Sequence, residues 1–244
     1  MSDLPRPEPF NRRIVSFEVL RIPETRLAPI FGPGANLVAK LVLLAAGGCL
    51  VVVFFIGWIG PSTEWATRTG FHVNQPVPFS HQHHVGGLGL DCRFCHTTVE
   101  TSATAGIPPT QTCMTCHSQL WTNAAVLAPV RASLASGAPI HWVRVNELPD
   151  YVYFNHSIHI AKGIGCATCH GRIDRMPLTE KAASLRMGWC INCHRDPRPY
   201  LRPHDAVFDM GWQRTSDTPS GDTLFARYHI HGPAELTSCS VCHR

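Results

Sequence analysis

Ten of the eleven cysteines in this 244-residue chain fall into five copies of one pattern, Cys-x-x-Cys-His. The copies are CRFCH (92–96), CMTCH (113–117), CATCH (166–170), CINCH (190–194) and CSVCH (239–243). A random chain of this composition would hold roughly 0.03 of them, so chance is not the explanation. Cys-x-x-Cys has three ordinary uses: zinc binding, dithiol redox chemistry and c-type haem attachment. Zinc gathers thiolates and imidazoles in fours and does not require His directly after the second Cys. A redox dithiol has no need of that His. Haem attachment uses all three residues: two thiols add across the vinyl groups of one porphyrin, and the imidazole becomes the proximal iron ligand. The pattern therefore reads as five covalently held haems. Their thiols are Cys92 and Cys95, Cys113 and Cys116, Cys166 and Cys169, Cys190 and Cys193, and Cys239 and Cys242. The proximal ligands are His96, His117, His170, His194 and His243. No disulfide framework is expected, and Cys49 reads as a small apolar residue.

A repeat suggests the second ligand of each iron. FSHQHHVGGLGLDCRFCH (79–96) and FNHSIHIAKGIGCATCH (154–170) share Phe-x-His-x-x-His, a Gly-containing turn and a haem motif. Two His three apart are neighbours on one helical turn and can serve two different irons. His81 and His156 are expected to serve the haem of their own motif, and His84 and His159 the second haem of each module or a neighbour. The leading Phe is expected against a porphyrin face. A degraded third copy, ARYHIHGPAELTSCSVCH (226–243), offers His229, with His231 as a replacement. Met187 reads either as an alternative thioether ligand, which would raise that haem's potential, or as a packing residue against the neighbouring Trp189. Met176 and Met114 are weaker candidates. His83 reads as a polar contact, and His72, His141 and His204 as structural or surface groups.

Enough ligands exist to fill every iron. All five motifs end in His, whereas a multihaem reductase needs an open iron position. No nucleophile elbow, phosphate loop or dinucleotide fingerprint is present. The chain reads as a conductor of electrons, without a substrate-converting site.

Residues 41–60, LVLLAAGGCLVVVFFIGWIG, carry no charge and as a helix span about 30 Å, the thickness of a bilayer core. Arg6, Arg12, Arg13, Arg21, Arg26 and Lys40 precede the span and only Arg68 closely follows it, which puts the N-terminus in the cytoplasm. The motifs then lie on the extracytoplasmic side of a bacterial-type membrane, where haem is attached. No clear cleavage site follows, so an uncleaved anchor is expected. The small residues AAGGC (45–49) admit two readings: a packing face for partner helices, or the ordinary abundance of Gly and Ala in such helices.

The formal charge of +4 does not signal nucleic acid. Each ferric bis-imidazole haem, with its propionates, brings about −1, leaving the loaded chain near neutral. Arg172, Arg195, Arg198 and Arg244 follow motifs directly. They read either as propionate partners or as solvated charges.

The expected fold is that of a multihaem c-type cytochrome: mostly α and irregular, sparse in regular structure, built around five haems, plus one N-terminal transmembrane helix. The expected divisions are a Pro- and charge-rich cytoplasmic segment (1–36), the transmembrane helix (37–60), a linker (61–78), dihaem module 1 (79–117), a connecting segment (118–153), dihaem module 2 (154–203) and a C-terminal single-haem segment (204–244). Within 118–153, Leu120, Val126, Leu127 and Val130 have helical spacing. HWVRVNELPDYVYF (141–154) alternates and suggests an extended stretch with a short strand pair.

Taken together, PFSHQHH, GIPPTQTCMTCHS, LPDYVYFNHSIHIAKGIGCATCHGRIDRMPL and LRMGWCINCHRDPRPYL resemble the pentahaem membrane-anchored cytochrome c subunit of bacterial alternative complex III. The resemblance covers most of the chain after residue 75. It implies a quinol-oxidising respiratory or photosynthetic complex. The implied partners are polytopic quinol-binding membrane subunits, a molybdopterin/iron–sulfur-like extracytoplasmic subunit and a monohaem cytochrome c. Electrons would leave toward a soluble carrier or an oxygen reductase. The alternative is a stand-alone membrane-anchored quinol dehydrogenase feeding periplasmic reductases. That kind places its first motif close to the membrane helix; here residues 61–91 intervene, and a fifth motif is present.

Replacing His81 or His156 by Ala is expected to turn one haem from low-spin to high-spin without loss of covalent haem. An entirely low-spin absorption and EPR spectrum would remove those two residues from the ligand set.

Overall fold

The computed structural model describes residues 32–243. Most of the expected cytoplasmic segment, and Arg244, lie outside the described residues. The first long element is α1, Ala35–Ile59, whose 25 residues span about 37 Å. Its side chains, Leu43, Leu44 and Phe54 among them, are exposed. By length and composition it can cross a membrane.

The chain from Ile56 onward forms a separate compact unit. It is built from short helices: α2 (Glu64–Thr67), α3 (Cys92–Cys95), α4 (Thr110–His117), α5 (Ala128–Ser136), α6 (His156–Ala161), α7 (Cys166–His170), α8 (Met187–Arg195), α9 (Gly221–Arg227), α10 (Pro233–Leu236) and α11 (Cys239–Cys242). Gln82–Gly87 winds as a π-helical turn. Each Cys-x-x-Cys stretch lies on one of these helices, which is what brings thiols three residues apart to one face. Side-chain oxygens start two of the helices used by the sites. Asp91 accepts from the backbone N–H of Arg93 before α3, and Asn155 from that of Ile158 before α6.

No strand occurs among the described residues, and pairing is limited to three isolated bridges. The strand pair expected in 141–154 does not form, because other partners take its backbone groups. The Gln75 side chain binds both the N–H and the C=O of Val143, and the Tyr153 N–H donates to Cys242 O. The helix expected in 118–153 is present as a 3-10 turn, Ala125–Leu127, running into α5. Leu127 and Val130 face inward, whereas Leu120 and Val126 are exposed.

The apolar core is thin. One cluster joins Val77, Leu127 and Val130 beside Cys113 and Met114. The other joins Ile164, Leu201, Leu224 and Tyr228. The second cluster locks the approach to the third motif. Arg202 is buried, its N–H bonds to Gly163 O at 2.9 Å, and its guanidinium lies 4.9 Å from the Trp212 ring centre. Lys162 Nζ donates to Tyr228 O, and Tyr228 stacks on His204 with ring centres 4.2 Å apart.

Gly163 sits in that lock at φ +74°, and a Cβ there would meet Arg202 O and Tyr228 Cε2, both at 2.6 Å. Gly163→Ala is expected to cost about 1–3 kcal/mol through backbone strain and overlap. The expected result is a lower apparent melting temperature of the holoprotein; an unchanged one would show that the lock yields freely.

Candidate haem-binding sites

The imidazoles of the sequence-predicted set are anchored in one consistent way. In seven of them Nδ1 donates to a backbone carbonyl. The pairs are His96 to Gly106 O (2.7 Å), His117 to Leu120 O (3.1 Å), His194 to Leu236 O (2.9 Å) and His243 to Tyr151 O (3.1 Å). His84 reaches Ser80 O (2.9 Å), His156 reaches Ala103 O (2.9 Å) and His159 reaches Asn155 O (2.7 Å). Two more use side chains: His81 with Thr179 Oγ1 at 3.0 Å, and His170 with the Asn146 amide at 3.1 Å. A carbonyl only accepts, so the ring proton must sit on Nδ1, and Nε2 is left as a bare lone pair. That is the tautomer a metal takes, held by an outer hydrogen bond. His204, outside the predicted set, is oriented the other way, with Nε2 at 2.9 Å from Ala161 O.

The anchored rings also face one another. His84 and His117 have ring centres 6.2 Å apart, His156 and His170 6.4 Å, and His159 and His194 6.1 Å. A metal about 2 Å from each of two facing ring nitrogens holds the centres roughly 6.3 Å apart. These separations fit a bis-imidazole iron. His81 lies near His96. Burial lowers the His81 pKa to about 4, and the neighbouring His96, His84 and His170 press it the same way. Burial, then His156 and His96, lowers His170 to about 4 as well. Both rings are neutral at physiological pH, as ligands must be.

The two Phe-x-His-x-x-His copies are alike in space. Phe79 meets His81 edge-on at 4.9 Å and stacks on His84 at 4.4 Å. Phe154 meets His156 edge-on at 4.8 Å and stacks on His159 at 4.5 Å. The Phe rings pack on the imidazoles of their own copies. Each Phe fixes the relative orientation of the two His rings of its copy.

The fifth motif differs. His243 lies beside Tyr151, with ring centres 5.8 Å apart. Among the described residues no second imidazole stands opposite it. His229 is exposed at φ +47°, and His231 is exposed with its Nδ1 2.9 Å from a Glu235 carboxylate oxygen. Met187 is 66 % exposed at the start of α8. Met176 is buried, and Met114 packs on the Val77 cluster. His83 stacks on Trp121. Two of the arginines that follow motifs are taken by carboxylates: Arg172 by Asp174, and Arg198 by Asp196 and Asp222.

None of the eleven cysteines forms a disulfide. Burial, with neighbouring thiols adding to it, raises Cys166 and Cys193 to about 11 and Cys169 to about 12. A zinc site would stabilise thiolates, and among the described residues no His, Cys, Asp and Glu group is arranged to hold a metal ion by itself. A cavity of about 540 Å³ opens beside Cys92, bordered by Leu90, Phe208 and Met210. Paired thiols, facing Nε2 lone pairs and space beside them suit an iron porphyrin and do not suit a bare ion.

Short helices that each carry a cysteine pair, with facing imidazoles between them, define a multihaem c-type cytochrome. Residues 152–244 match the family of cytochrome c7 and related cytochrome c, a c7-like multihaem domain. The chain is also 32 % identical over 124 residues to the multihaem cytochrome c subunit of menaquinone reductase from Nitratidesulfovibrio vulgaris. That match covers 50 % of this chain and 56 % of the relative, so the chain spans about half the length of the curated relative it matches.

Asn146 had no motif to mark it. Its Nδ2 faces His170 Nδ1, while its Oδ1 is buried without a partner. Turning the amide over lets Oδ1 accept the ring N–H, so that His170 keeps Nε2 free, and puts Nδ2 at the buried place that Oδ1 held. With haem attached at Cys166 and Cys169, Asn146→Asp is expected to lower one midpoint potential and Asn146→Leu to raise it. The expected size is roughly 60 mV, a tenfold change in a one-electron equilibrium. Redox titration that leaves every potential in place would show that Asn146 does not bear on His170.

Proposed function

We propose that this chain transfers electrons through five covalently bound c-type haems as a subunit of a quinone-linked membrane complex, of the alternative complex III kind. The observation that carries the reading is the set of nine imidazoles held through Nδ1, six of which face one another in three pairs with ring centres 6.1 to 6.4 Å apart. His81 with His96, His84 with His117, His156 with His170, and His159 with His194 would each fill both axial positions of one iron. His243 would hold the fifth. The bound haems would supply one-electron Fe(III)/Fe(II) chemistry. The chain's residues do the rest. The thiols fix each porphyrin, the carbonyls orient the rings, and paired imidazoles leave no coordination position for a substrate at four sites. Work at those sites is then limited to passing electrons.

In this reading α1 is the single anchor, the N-terminus is cytoplasmic and the haem unit is extracytoplasmic, in keeping with the Arg and Lys bias around the span. Residues 79–117 and 154–203 act as two dihaem modules, with a single-haem segment at 204–244. The partners are quinol-binding polytopic subunits, an iron–sulfur-bearing extracytoplasmic subunit and a monohaem cytochrome c. The relative's printed role in menaquinone reduction supports the link to quinone and raises the opposite direction of flow as a second reading.

Native membranes extracted in mild detergent, run on a native gel and stained for haem, are the test. The expected result is haem in a large assembly with polytopic and iron–sulfur subunits, and haem reduction on adding quinol. A chain that migrates alone and still accepts electrons from quinol is an independent dehydrogenase. Quinone reduced by pre-reduced haems, with no reaction from quinol, reverses the direction.

A further inference from the structure

We propose that the five motifs are arranged in space in the order second, first, third, fourth, fifth, so that the two modules join through the first and third motifs and the second motif is a terminus. The inference rests on the reading that each motif carries a haem.

Within module 1 the first and second sites share Phe79, which touches both His81 and His84, and His84 faces His117. Within module 2 the third and fourth sites share Phe154 in the same way, and His159 faces His194. Sequence order alone would then set the second motif against the third, since they follow one another along the chain. The contacts are different. His156, of the third site, is held by the loop after the first motif: its N–H and its Nδ1 both reach Ala103 O, at 3.1 and 2.9 Å. The Ser157 N–H bonds to Ser102 O next to it. In return His81, of the first site, is held by the loop after the third motif, through Thr179 Oγ1 at 3.0 Å. The Gln82 N–H bonds to Met176 O at 3.0 Å. At Gly86 a Cβ would stand 2.3 Å from Asp174 O, so the two backbones meet without room for a side chain. Each of these two sites borrows an anchor from the other's loop.

The second motif has no such tie. His117 is anchored within its own loop, to Leu120 O, and α4 packs on α5, with Thr110 bonded to Ser133. Among the described residues, nothing in 110–122 hydrogen-bonds to 154–203. At the other end α10 packs on α8, and His194 is anchored by Leu236 O, just before the fifth motif. The motifs at the two ends are also the ones with an exposed cysteine, Cys116 and Cys239.

The test uses the full chain, loaded with haem and extracted in detergent. His84→Ala opens the iron site at the second motif and makes it high-spin, and a high-spin centre speeds relaxation of the low-spin signals beside it. Each low-spin EPR signal is assigned by its disappearance in His81→Ala (first motif) or His156→Ala (third). In His84→Ala only the first-motif signal is expected to relax faster. In His81→Ala two signals should respond, including the one lost in His156→Ala. Faster relaxation of the third-motif signal in His84→Ala would overturn the order while leaving the electron-transfer reading intact. Fewer than five covalent haems in the unaltered chain would remove both. Should His84→Ala not accumulate, His84→Met keeps a sixth ligand and raises that site's potential. A shift in the first-motif potential alone supports the order, and a shift in the third-motif potential overturns it.

Discussion

A backbone carbonyl can accept a hydrogen bond but cannot give one, and the haem unit is organised around that asymmetry. Seven imidazoles have Nδ1 against a carbonyl, which fixes both the tautomer and the direction of the Nε2 lone pair. In regular helices and sheets most carbonyls are already engaged by the backbone. Loops have carbonyls to spare. Six of the seven acceptors, Ser80, Ala103, Gly106, Leu120, Tyr151 and Asn155, lie outside every helix, and the seventh, Leu236, ends the four-residue α10. The scarcity of regular structure is thus part of how the sites are made. A chain with longer helices would have fewer free acceptors to offer.

The same economy explains how so thin a core holds its shape. Leu201, Leu224 and Val207 are the most deeply buried side chains, too few to define a fold by apolar packing alone. Order comes instead from polar and aromatic ties across the chain. Arg202 is clamped between Trp212 and the backbone around Gly163 and Asp209, and Gln75 holds Val143 by two hydrogen bonds. Gly163 and Gly165 lie beside the guanidinium's own residue, where any Cβ would collide with Arg202. The close approach leads directly into Cys166, whose N–H bonds to Val207 O.

Local chemistry was legible in the sequence and its partners were not. Cys-x-x-Cys-His and Phe-x-His-x-x-His are short-range patterns, and a short helix is enough to turn them into paired thiols and paired rings. Equal spacing in the two copies became equal geometry, down to the edge-on and stacked contacts of Phe79 and Phe154. The carbonyls that anchor the rings have no side-chain signature, so no pattern could name Gly106 or Ala103. The alternation in 141–154 suggested an extended stretch with a strand pair, yet the backbone bends at Val145 and Asn146 and turns at Asp150 and Tyr151, and Gln75 and Cys242 took groups a neighbouring strand would have needed. His229 matched the repeat by position alone; its left-handed backbone and exposure turn it away from the pattern of the first two copies.

The two anchors that are not carbonyls stand at related places. Thr179 holds His81 of the first site, and Asn146 holds His170 of the third. At the second and fourth sites both rings of each pair rest on carbonyls. A backbone acceptor is the same whatever residue carries it, whereas a hydroxyl or an amide can be exchanged for a stronger or weaker acceptor by a single substitution. Outer hydrogen bonds set how much electron density an imidazole gives its metal. On the proposed order, sequence change can therefore adjust the two sites through which the modules would meet, and it has little purchase on their outer neighbours. If electrons cross from one module to the other there, the adjustable anchors lie at the one step that governs traffic between the halves.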